Sequence, residues 1–145
     1  MATSDPTPLD RRSRDEAVIA ELRAGGARSD GGGMPLVLLH TTGSVSGRLH
    51  LKPVCVREDG ADLVVAATMG GNPRHPQWYV NLAAHPTITV EYQGETFTAK
   101  ATTVPNSVDR DRLFAMMAEV IQGMYGYQDR CRDQRQIPIV RLVRL

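Results

Sequence analysis

A segment of fifteen residues, Thr68 to Leu82, concentrates the residue types that could form a ligand site. It contains a glycine pair, Gly70 and Gly71, and the only tryptophan of the chain, Trp78. Glycines without side chains allow a flat ligand to approach backbone N–H groups closely, and the indole could cover an aromatic face of that ligand. The indole could equally plug one end of a small barrel, because ligand sites and cores use the same residue types. The residues alone leave both interpretations open.

The sequence lacks the residue patterns of several other kinds of catalytic site. The chain has four histidines, His40, His50, His75 and His85. They show no metal-binding spacing, and neither HExxH nor GxSxG occurs. The two cysteines, Cys55 and Cys131, have no local signature of a nucleophile. We therefore predict no metal site, and an enzyme of this sequence would depend on a bound cofactor for the difficult step.

Length and composition are those of one ordinary globular domain. The chain has 145 residues, of which 23% are charged and 41% apolar, and its net charge is +1. This charge gives no general attraction to nucleic acid or to a membrane. The N-terminal sequence has no apolar signal region, and no apolar run is long enough to span a bilayer. With only two cysteines, a cytoplasmic protein with reduced thiols is expected.

The hydrophobic pattern predicts an α+β fold dominated by antiparallel strands. Six strands are predicted, over residues 36–42, 48–57, 63–68, 87–92, 95–104 and 137–145. The pairs Asp59-Gly60 and Gln93-Gly94 predict tight hairpins between four of them. Strands and helices alternate too rarely for a doubly wound sheet, so a small closed or half-closed barrel is favoured.

Helices are predicted to be few and short. A capping box at residues 13–16 begins an amphipathic helix that Gly25 ends, and further helices are predicted over residues 76–84 and 107–122. Residues 1–33 are predicted as a flexible N-terminal segment that carries the first helix and a glycine-rich linker. Residues 34–145 form the main domain.

Two tyrosines near the C-terminus do not fit a helical face or a strand. Tyr125 and Tyr127 flank Gly126 shortly after the third helix is expected to end. We predict a loop there. Its rings would either form a lid over a bound ligand or pack on the barrel.

Several stretches resemble the deazaflavin-dependent nitroreductase family, actinobacterial reductases that use coenzyme F420 on a split β-barrel. They are AVIAELRAGG (17–26), LLHTTGSVSGRLHLKPV (38–54), ATMGGNPRHPQWYVNLAAHPTITVEYQG (67–94), and GMYGYQD with IPIVRLVRL (123–145). The order of glycine pair, His-Pro, Trp-Tyr and Asn-Leu in the third stretch is specific. The resemblance implies a split barrel of about six strands, with residues 34–145 as the deazaflavin-binding domain.

The resemblance also implies which residues bind the cofactor. The turn after the first strand would hold its phosphate and side chain, through Ser44, Val45, Ser46 and Gly47. The second strand would contribute His50, Lys52, Pro53 and Val54. Backbone contacts to the deazaflavin ring would come from Ala66, Ala67, Thr68 and Met69, with Gly70 and Gly71 admitting the ring. The following helix would close the site through Gln77, Trp78 and Asn81.

The sequence departs from the family pattern at three places. The family often has Arg-Lys where this chain has Ser44-Val45, and Ser-Lys where it has Thr68-Met69. Cys55 replaces a frequent tyrosine. The expected cations could be replaced by three basic residues, Arg48, His50 and Lys52, since a phosphate accepts either guanidinium forks or point charges. Alternatively, the loss of these cations could alter the affinity for the cofactor or make the chain prefer an ordinary flavin.

The activity implied by the resemblance is hydride transfer from reduced F420 to an electrophilic small molecule. Candidate acceptors are enones and other activated alkenes, quinones and nitroaromatics, and the candidate catalytic residues are Tyr125, Tyr127 and Thr68. Two alternatives stay open, an FMN-binding split-barrel oxidase or reductase, and a non-catalytic carrier of deazaflavin or lipid. No nucleic-acid partner is expected. The oligomeric state, monomer or homodimer, and peripheral membrane contact through basic residues near the first helix are left open.

Overall fold

The computed structural model of the chain describes residues 8–25 and 35–145, with side chains from residue 13 onward. The chain divides into two units, Met1–Gly33 and Met34–Leu145. In the first unit the helix α1 spans Pro8–Arg23, so it begins earlier than the predicted capping box. A proline is well suited to the first turn of a helix, where its missing N–H has no partner to lose. The predicted glycine-rich linker falls mostly outside the described residues.

The second unit is built on one antiparallel sheet of seven strands. The strands are β1 (Leu36–Thr42), β2 (Leu49–Cys55), β3 (Arg57–Asp59), β4 (Asp62–Ala66), β5 (Thr87–Tyr92), β6 (Glu95–Thr103) and β7 (Ile139–Arg144). Their order in the sheet is β2-β1-β5-β6-β7-β4-β3. Both predicted hairpins are confirmed, as β3–β4 and β5–β6. The seventh strand arises because the predicted strand 48–57 breaks at Val56 into β2 and the short β3.

The two ends of this sheet are joined by a single residue. β2 and β3 lie at opposite edges of the strand order, yet only Val56 separates them in the chain. The sheet must therefore curl until its edges approach each other, and Val56 is fully buried at the junction. The proline of β2, Pro53, is compatible with this arrangement because β2 is an edge strand. The prediction of a predominantly antiparallel split barrel is confirmed.

Around β4 and β7, the curled sheet has an apolar core on both of its faces. Leu63, Val65, Val140 and Leu142 belong to the cluster inside the barrel. The alternate residues of the same strands, such as Val64, belong to a second cluster on the outer face. Since successive side chains of a strand point to opposite faces, strands buried on both sides read as continuous apolar runs.

Three helices cover the barrel, α2 (Gln77–Ala84), α3 (Val108–Ala118) and α4 (Met124–Cys131). The predicted helix over residues 107–122 is observed as α3, which ends earlier, at Ala118. Ser107 caps it, with its Oγ accepting a hydrogen bond from the N–H of Arg110 at 3.0 Å. The helix α4 corrects the sequence prediction of a loop around Tyr125 and Tyr127. Its periodicity was hidden because only two of its residues, Met124 and Cys131, are fully buried. No helix in the described part of the chain is long and apolar enough to cross a membrane.

Candidate functional site

The turn between β1 and β2 is held against α2 by one buried amide side chain. The N–H of Ser44 donates to Oδ1 of Asn81 at 3.1 Å, and Nε2 of Gln77 donates to the same oxygen at 2.8 Å. Nδ2 of Asn81 donates to Oγ1 of Thr41 inside the barrel at 3.2 Å. Asn81 is only 1% exposed, so its contacts fix the position of the turn relative to the helix. Three residues that the sequence predicted for the site, Ser44, Gln77 and Asn81, are thus brought together.

The same turn is closed by its own hydrogen bonds. The N–H of Gly43 donates to the carbonyl oxygen of Arg48 at 2.7 Å, and the N–H of Arg48 donates to Oγ of Ser46 at 3.2 Å. A side chain at Gly43 would collide with Oγ of Ser46 and would lie 3.1 Å from Nε2 of His50. The hydroxyl and the imidazole therefore lie over Gly43. Val45, at the tip of the turn, is almost fully exposed.

The predicted residues of β2 lie on two different faces of the sheet. In the antiparallel register His50, Lys52 and Val54 pair with Thr41, Leu39 and Val37, whose side chains face the barrel interior. Paired residues of antiparallel strands share a face, so these three residues face the interior side of the sheet. Pro53 pairs with Leu38 and lies on the outer face. The register therefore favours His50 and Lys52, and not Pro53, as residues whose side chains reach a ligand beside the Ser44 turn.

The loop after β4 forms a left-handed turn. Three successive residues have positive φ angles, Met69 at 43°, Gly70 at 61° and Gly71 at 78°. The turn is closed by hydrogen bonds from the N–H of Gly71 to the carbonyl oxygen of Thr68 and from the N–H of Asn72 to that of Met69. Met69 has a side chain in a conformation that favours glycine, which is a strained arrangement. Such strain persists only where the surrounding structure imposes it, and it concentrates at functional sites.

This turn presents backbone donors that the described part of the chain does not use. No hydrogen bond joins the N–H groups of Thr68, Met69 and Gly70 to an acceptor among the described residues. A left-handed turn of this kind gathers N–H groups into a concavity that favours anionic or strongly accepting atoms. A side chain at Gly70 would project into open space, so this part of the turn is accessible. The carbonyl and ring-nitrogen acceptors of a deazaflavin fit such a row of donors.

A buried arginine holds the turn in place. Arg135 is 8% exposed and donates three hydrogen bonds to backbone carbonyls, from Nη1 to Ala67 at 2.8 Å, from Nη2 to Thr68 at 2.7 Å and from Nε to Asn72 at 2.8 Å. Its rigid fork can bind three carbonyls of a curved loop at once, as an ammonium could not. Sequence analysis missed Arg135, because an isolated arginine before a terminal strand carries no local signal.

Arg135 also contacts the imidazole of His75, with Nη1 3.3 Å from Nδ1. Desolvation and the nearby guanidinium charge lower the pKa of His75 below its ordinary value of 6.5. Nδ1 of the neutral ring can accept a hydrogen bond from the guanidinium, and the ring contacts that of Tyr79 at an angle of 57°, with centroids 4.9 Å apart. His75 is therefore a support of the loop that leads into α2.

The helix α4 supports the left-handed turn from its other side. A Cβ atom at Gly71 would lie 2.8 Å from the carbonyl oxygen of Tyr127 and 3.2 Å from Cβ of Arg130. Nη1 of Arg130 donates to the carbonyl oxygen of Gly70 at 3.2 Å. Gly71 thus has a packing reason to lack a side chain, which is the close approach of α4. Arg130 is a second cation beside the turn that the sequence analysis did not identify.

The structure separates the two candidate tyrosines. Tyr127 is half-buried in the outer core cluster, and its ring lies within 3.8 Å of the Cβ position of Gly123 at the start of α4. Tyr125 is exposed and packs on Phe114, with ring centroids 5.0 Å apart. Residues two apart on a helix do not share a face. The rings therefore do not form one lid.

Trp78 lies in the interior core of the barrel. Its side chain is 8% exposed and packs in the same cluster as Leu82 and the inward residues of the strands. This placement supports the interpretation of the indole as a plug at the mouth of the barrel. Ala66 and Ala67 are also buried, so their side chains are not accessible to a ligand. No cluster of histidine, cysteine or carboxylate side chains among the described residues has the arrangement of a metal site.

Residues 8–144 match the protein family described as F420H(2)-dependent quinone reductase. The chain is 35% identical over 115 residues to the F420H(2)-dependent quinone reductase of Mycobacterium tuberculosis strain H37Rv, and the match covers 78% of this chain and 76% of that protein. These matches confirm three predictions: the deazaflavin-dependent family, an enzymatic function, and coenzyme F420 as the cofactor.

Solved structures give the same result for the fold. An F420-H2 dependent reductase, FDR-A, superposes with a TM-score of 0.65 at 28% identity, over 74% of this chain and 93% of its own. A structure described as a domain-swapped dimer superposes with a TM-score of 0.66 at 26% identity, over 94% of this chain and 99% of its own.

Proposed function

Because the chain belongs to the F420H(2)-dependent quinone reductase family, we propose that it transfers hydride from reduced coenzyme F420 to a quinone. The observation that carries this proposal is the family match over residues 8–144. Enones and nitroaromatics are secondary acceptors in the proposal. Like quinones they are electron-poor, and they would accept hydride at an alkene carbon and at the nitro group, respectively.

The cofactor residues in this proposal come from three parts of the second unit. The turn at Ser44 to Arg48 and the interior side of β2, at His50 and Lys52, would hold the phosphate and the glutamate tail. The left-handed turn from Thr68 to Gly71 would hold the ring through its N–H groups. Arg135 and Asn81 would position these two turns without touching the ring. The remaining predicted residues, Pro53, Val54, Ala66, Ala67 and Trp78, would shape the site through packing.

When bound, the reduced deazaflavin supplies a hydride from its ring, and the protein orients the acceptor and stabilises the negative charge that develops on it. The side chain of Thr68 begins the left-handed turn, and we assign to its hydroxyl a hydrogen bond to the acceptor oxygen. Tyr127 is retained as a second candidate donor because its backbone contacts Gly71 in the left-handed turn, although its ring packs toward Gly123. Tyr125 packs on Phe114, and we assign it no catalytic role.

The direct test is anaerobic mixing of the purified protein with reduced F420 and menadione, followed by the return of the oxidised F420 absorbance. Quinone-dependent oxidation well above the protein-free rate is expected. A parallel titration with FMN separates the two cofactors. Binding of FMN with no binding of F420 would favour the ordinary flavin, and F420 binding without turnover on any acceptor would favour a carrier.

The quaternary structure and location complete the proposal. A homodimer is proposed because the relative that superposes over 94% of the chain is described as a domain-swapped dimer. Size-exclusion chromatography with light scattering tests it. A cytoplasmic location is proposed because the chain has only two cysteines, whereas small secreted domains are typically rich in disulfides. Residues 34–145 are the proposed cofactor-binding domain, and deletion of residues 1–14 tests whether the basic residues Arg11, Arg12 and Arg14 contribute to binding of the tail or of a membrane.

A further inference from the structure

An open cleft lies between α3 and α4, on the outer side of the barrel. Its volume is about 460 Å³, and it is lined by Arg110, Asp111, Phe114, Tyr125, Gln128, Arg132, Arg135 and Gln136. Among these residues only Tyr125 belongs to the set that the sequence predicted for the deazaflavin site. A volume of this size falls within the range of about 300–1,000 Å³ that small-molecule sites occupy.

The base of the cleft holds a buried guanidinium with few partners. Arg110 is 7% exposed, and within the described residues it donates one hydrogen bond, from Nη2 to the carbonyl oxygen of Ile137 at 2.6 Å. It forms no ion pair with a described carboxylate, and its Cζ lies 5.5 Å from the centre of the Phe114 ring. Burial lowers the pKa of Arg110, while the charge of Asp111 opposes that effect. A buried cation with an incomplete set of acceptors is a costly arrangement unless something else compensates it.

The other charged groups of the cleft add to this excess of positive charge. Arg135 is buried at the base and donates to carbonyls of the loop 67–72. Arg132 is exposed at the rim. Neither Arg132 nor Arg135 forms an ion pair with a carboxylate of the described residues. Asp111 is the single acidic residue of the lining, against the three arginines. The lining therefore carries a formal charge of +2, in a protein whose total charge is +1.

One wall of the cleft is aromatic. The rings of Phe114 and Tyr125 are tilted by 55° with centroids 5.0 Å apart, and Phe114 is almost fully buried while Tyr125 is exposed. A flat apolar group could pack along this wall while its charged end reaches the guanidinium groups. Gln128 cannot contribute much to a ligand, since its amide already bonds the backbone of Arg135 and Ile137.

We propose that this cleft binds a small organic anion, in which a carboxylate or phosphate is attached to a flat apolar group. The anion would pair with Arg110 and Arg132, whose guanidinium forks match the oxygens of either group. The apolar part would pack on Phe114 and Tyr125. Arg135 at the base also holds the left-handed turn of the proposed F420 site, but Arg110 and Arg132, which would bind the anion, are not among the proposed F420 residues. The proposal does not depend on the hydride-transfer activity.

The test uses benzoate as the probe and benzamide as its neutral isostere, with the full-length protein. Isothermal titration calorimetry measures affinity, and amide chemical shifts in ¹H–¹⁵N NMR locate the binding. We expect benzoate to bind and to shift amides of α3 and α4, and benzamide to bind at least about tenfold more weakly, the effect of one charge-assisted hydrogen bond. Inorganic phosphate, as a third probe, is expected to bind more weakly than benzoate because it lacks the apolar group.

Two variants and a matched control locate the interaction. Arg110→Gln and Arg132→Gln should each weaken benzoate binding by about tenfold or more. Lys100→Gln removes the same unit of charge from an exposed position of β6 and should change the affinity less than twofold. Arg132→Gln keeps the test decisive if the buried Arg110→Gln does not fold, because Arg132 lies at the exposed rim.

Saturation with F420 should leave the benzoate affinity unchanged. The proposal is overturned if wild-type protein fails to bind benzoate, if benzamide or phosphate binds equally well, if F420 displaces benzoate, or if Arg132→Gln has no more effect than Lys100→Gln. None of these outcomes depends on F420 oxidation, so failure of the proposed function leaves this test intact.

Discussion

A Cβ atom at Gly71 would lie 2.8 Å from the carbonyl oxygen of Tyr127, so α4 and the left-handed turn pack too closely for a side chain at this position. The neighbouring Gly70 has the same sign of φ but open space around its Cβ position. The two glycines of the pair therefore have different reasons to be glycine, close packing for Gly71 and backbone conformation for Gly70.

Alanine substitutions should separate these reasons. Gly70→Ala should cost about 1–2 kcal/mol of unfolding free energy, the penalty of a left-handed conformation. Gly71→Ala should cost about 3 kcal/mol or more, because overpacking against the Tyr127 backbone adds to that penalty. Urea denaturation followed by tryptophan fluorescence measures both. Equal losses of stability would show that the contact with α4 relaxes freely.

Replacement of Arg135 by lysine should loosen the left-handed turn. Lysine keeps the charge but cannot reach the carbonyl oxygens of Ala67, Thr68 and Asn72 together. We expect a loss of about 3 kcal/mol in stability, the worth of one or two charged hydrogen bonds, and a weaker affinity for F420 in a fluorescence titration. Arg132→Lys, at the exposed rim of the outer cleft, is the matched control and should change neither quantity. Unaltered F420 affinity in Arg135→Lys would mean that the turn keeps its shape without the fork.

Asn81→Ala should release the β1–β2 turn from α2. The N–H of Ser44 would lose its acceptor, and the hydroxyl of Thr41 would lose the donor Asn81 while keeping its bond to the carbonyl oxygen of His50. We expect a stability loss of about 2 kcal/mol together with about tenfold weaker F420 binding. The comparison is Asn106→Ala, which removes an exposed amide that accepts a hydrogen bond from Gln136 at 2.7 Å. If Asn81→Ala destabilises the fold but binds F420 normally, the turn does not contact the cofactor.

Hydroxyl removal from each tyrosine of α4 tests the separation of their roles. Tyr127→Phe should lower kcat for menadione by about tenfold or more if its hydroxyl stabilises the acceptor oxygen. Tyr125→Phe should leave kcat and F420 affinity unchanged, because its ring packs on Phe114. Steady-state kinetics of both variants, beside cofactor titrations, measure the difference. A loss of turnover confined to Tyr125→Phe would contradict our assignment and support the interpretation of Tyr125 as part of a lid over the ligand.

The acid stability of the protein should depend on Asp59. Bidentate hydrogen bonding by Arg112, followed by a hydrogen bond from Arg141, lowers the pKa of Asp59 from 3.8 to about 2. Since the folded pKa is depressed, its contribution is present above the unfolded pKa and is lost as the pH falls through the folded one.

Asp59→Asn should therefore be destabilised by at most about 2 kcal/mol near neutral pH, and its difference from wild type should shrink between about pH 4 and pH 2. Urea denaturation at a series of pH values measures this difference. A difference that stays constant down to the lowest pH would exclude the carboxylate charge as its cause.

The sequence by itself determined the family, both hairpins and the positions of the strands, apart from the break at Val56. Alternation of apolar residues, the Asp59-Gly60 and Gln93-Gly94 pairs, and the ordered motif from Gly70 to Asn81 are local features. Each is set by neighbouring residues, through side-chain direction along a strand or through the positive φ that glycine accepts. For the same reason Ser107 was correctly expected at the start of α3.

Only the tertiary structure decided how these elements form a site. The barrel closes because β2 and β3 lie at opposite edges of the sheet and meet at Val56, a pairing between distant segments that local pattern cannot express. The fork of Arg135 binds carbonyls of a loop more than sixty residues earlier in the chain, and the backbone of Tyr127 requires glycine at position 71. Such contacts depend on long-range packing between segments distant in the chain, so local sequence patterns could not identify Arg135 as a support of the turn or explain why position 71 requires glycine.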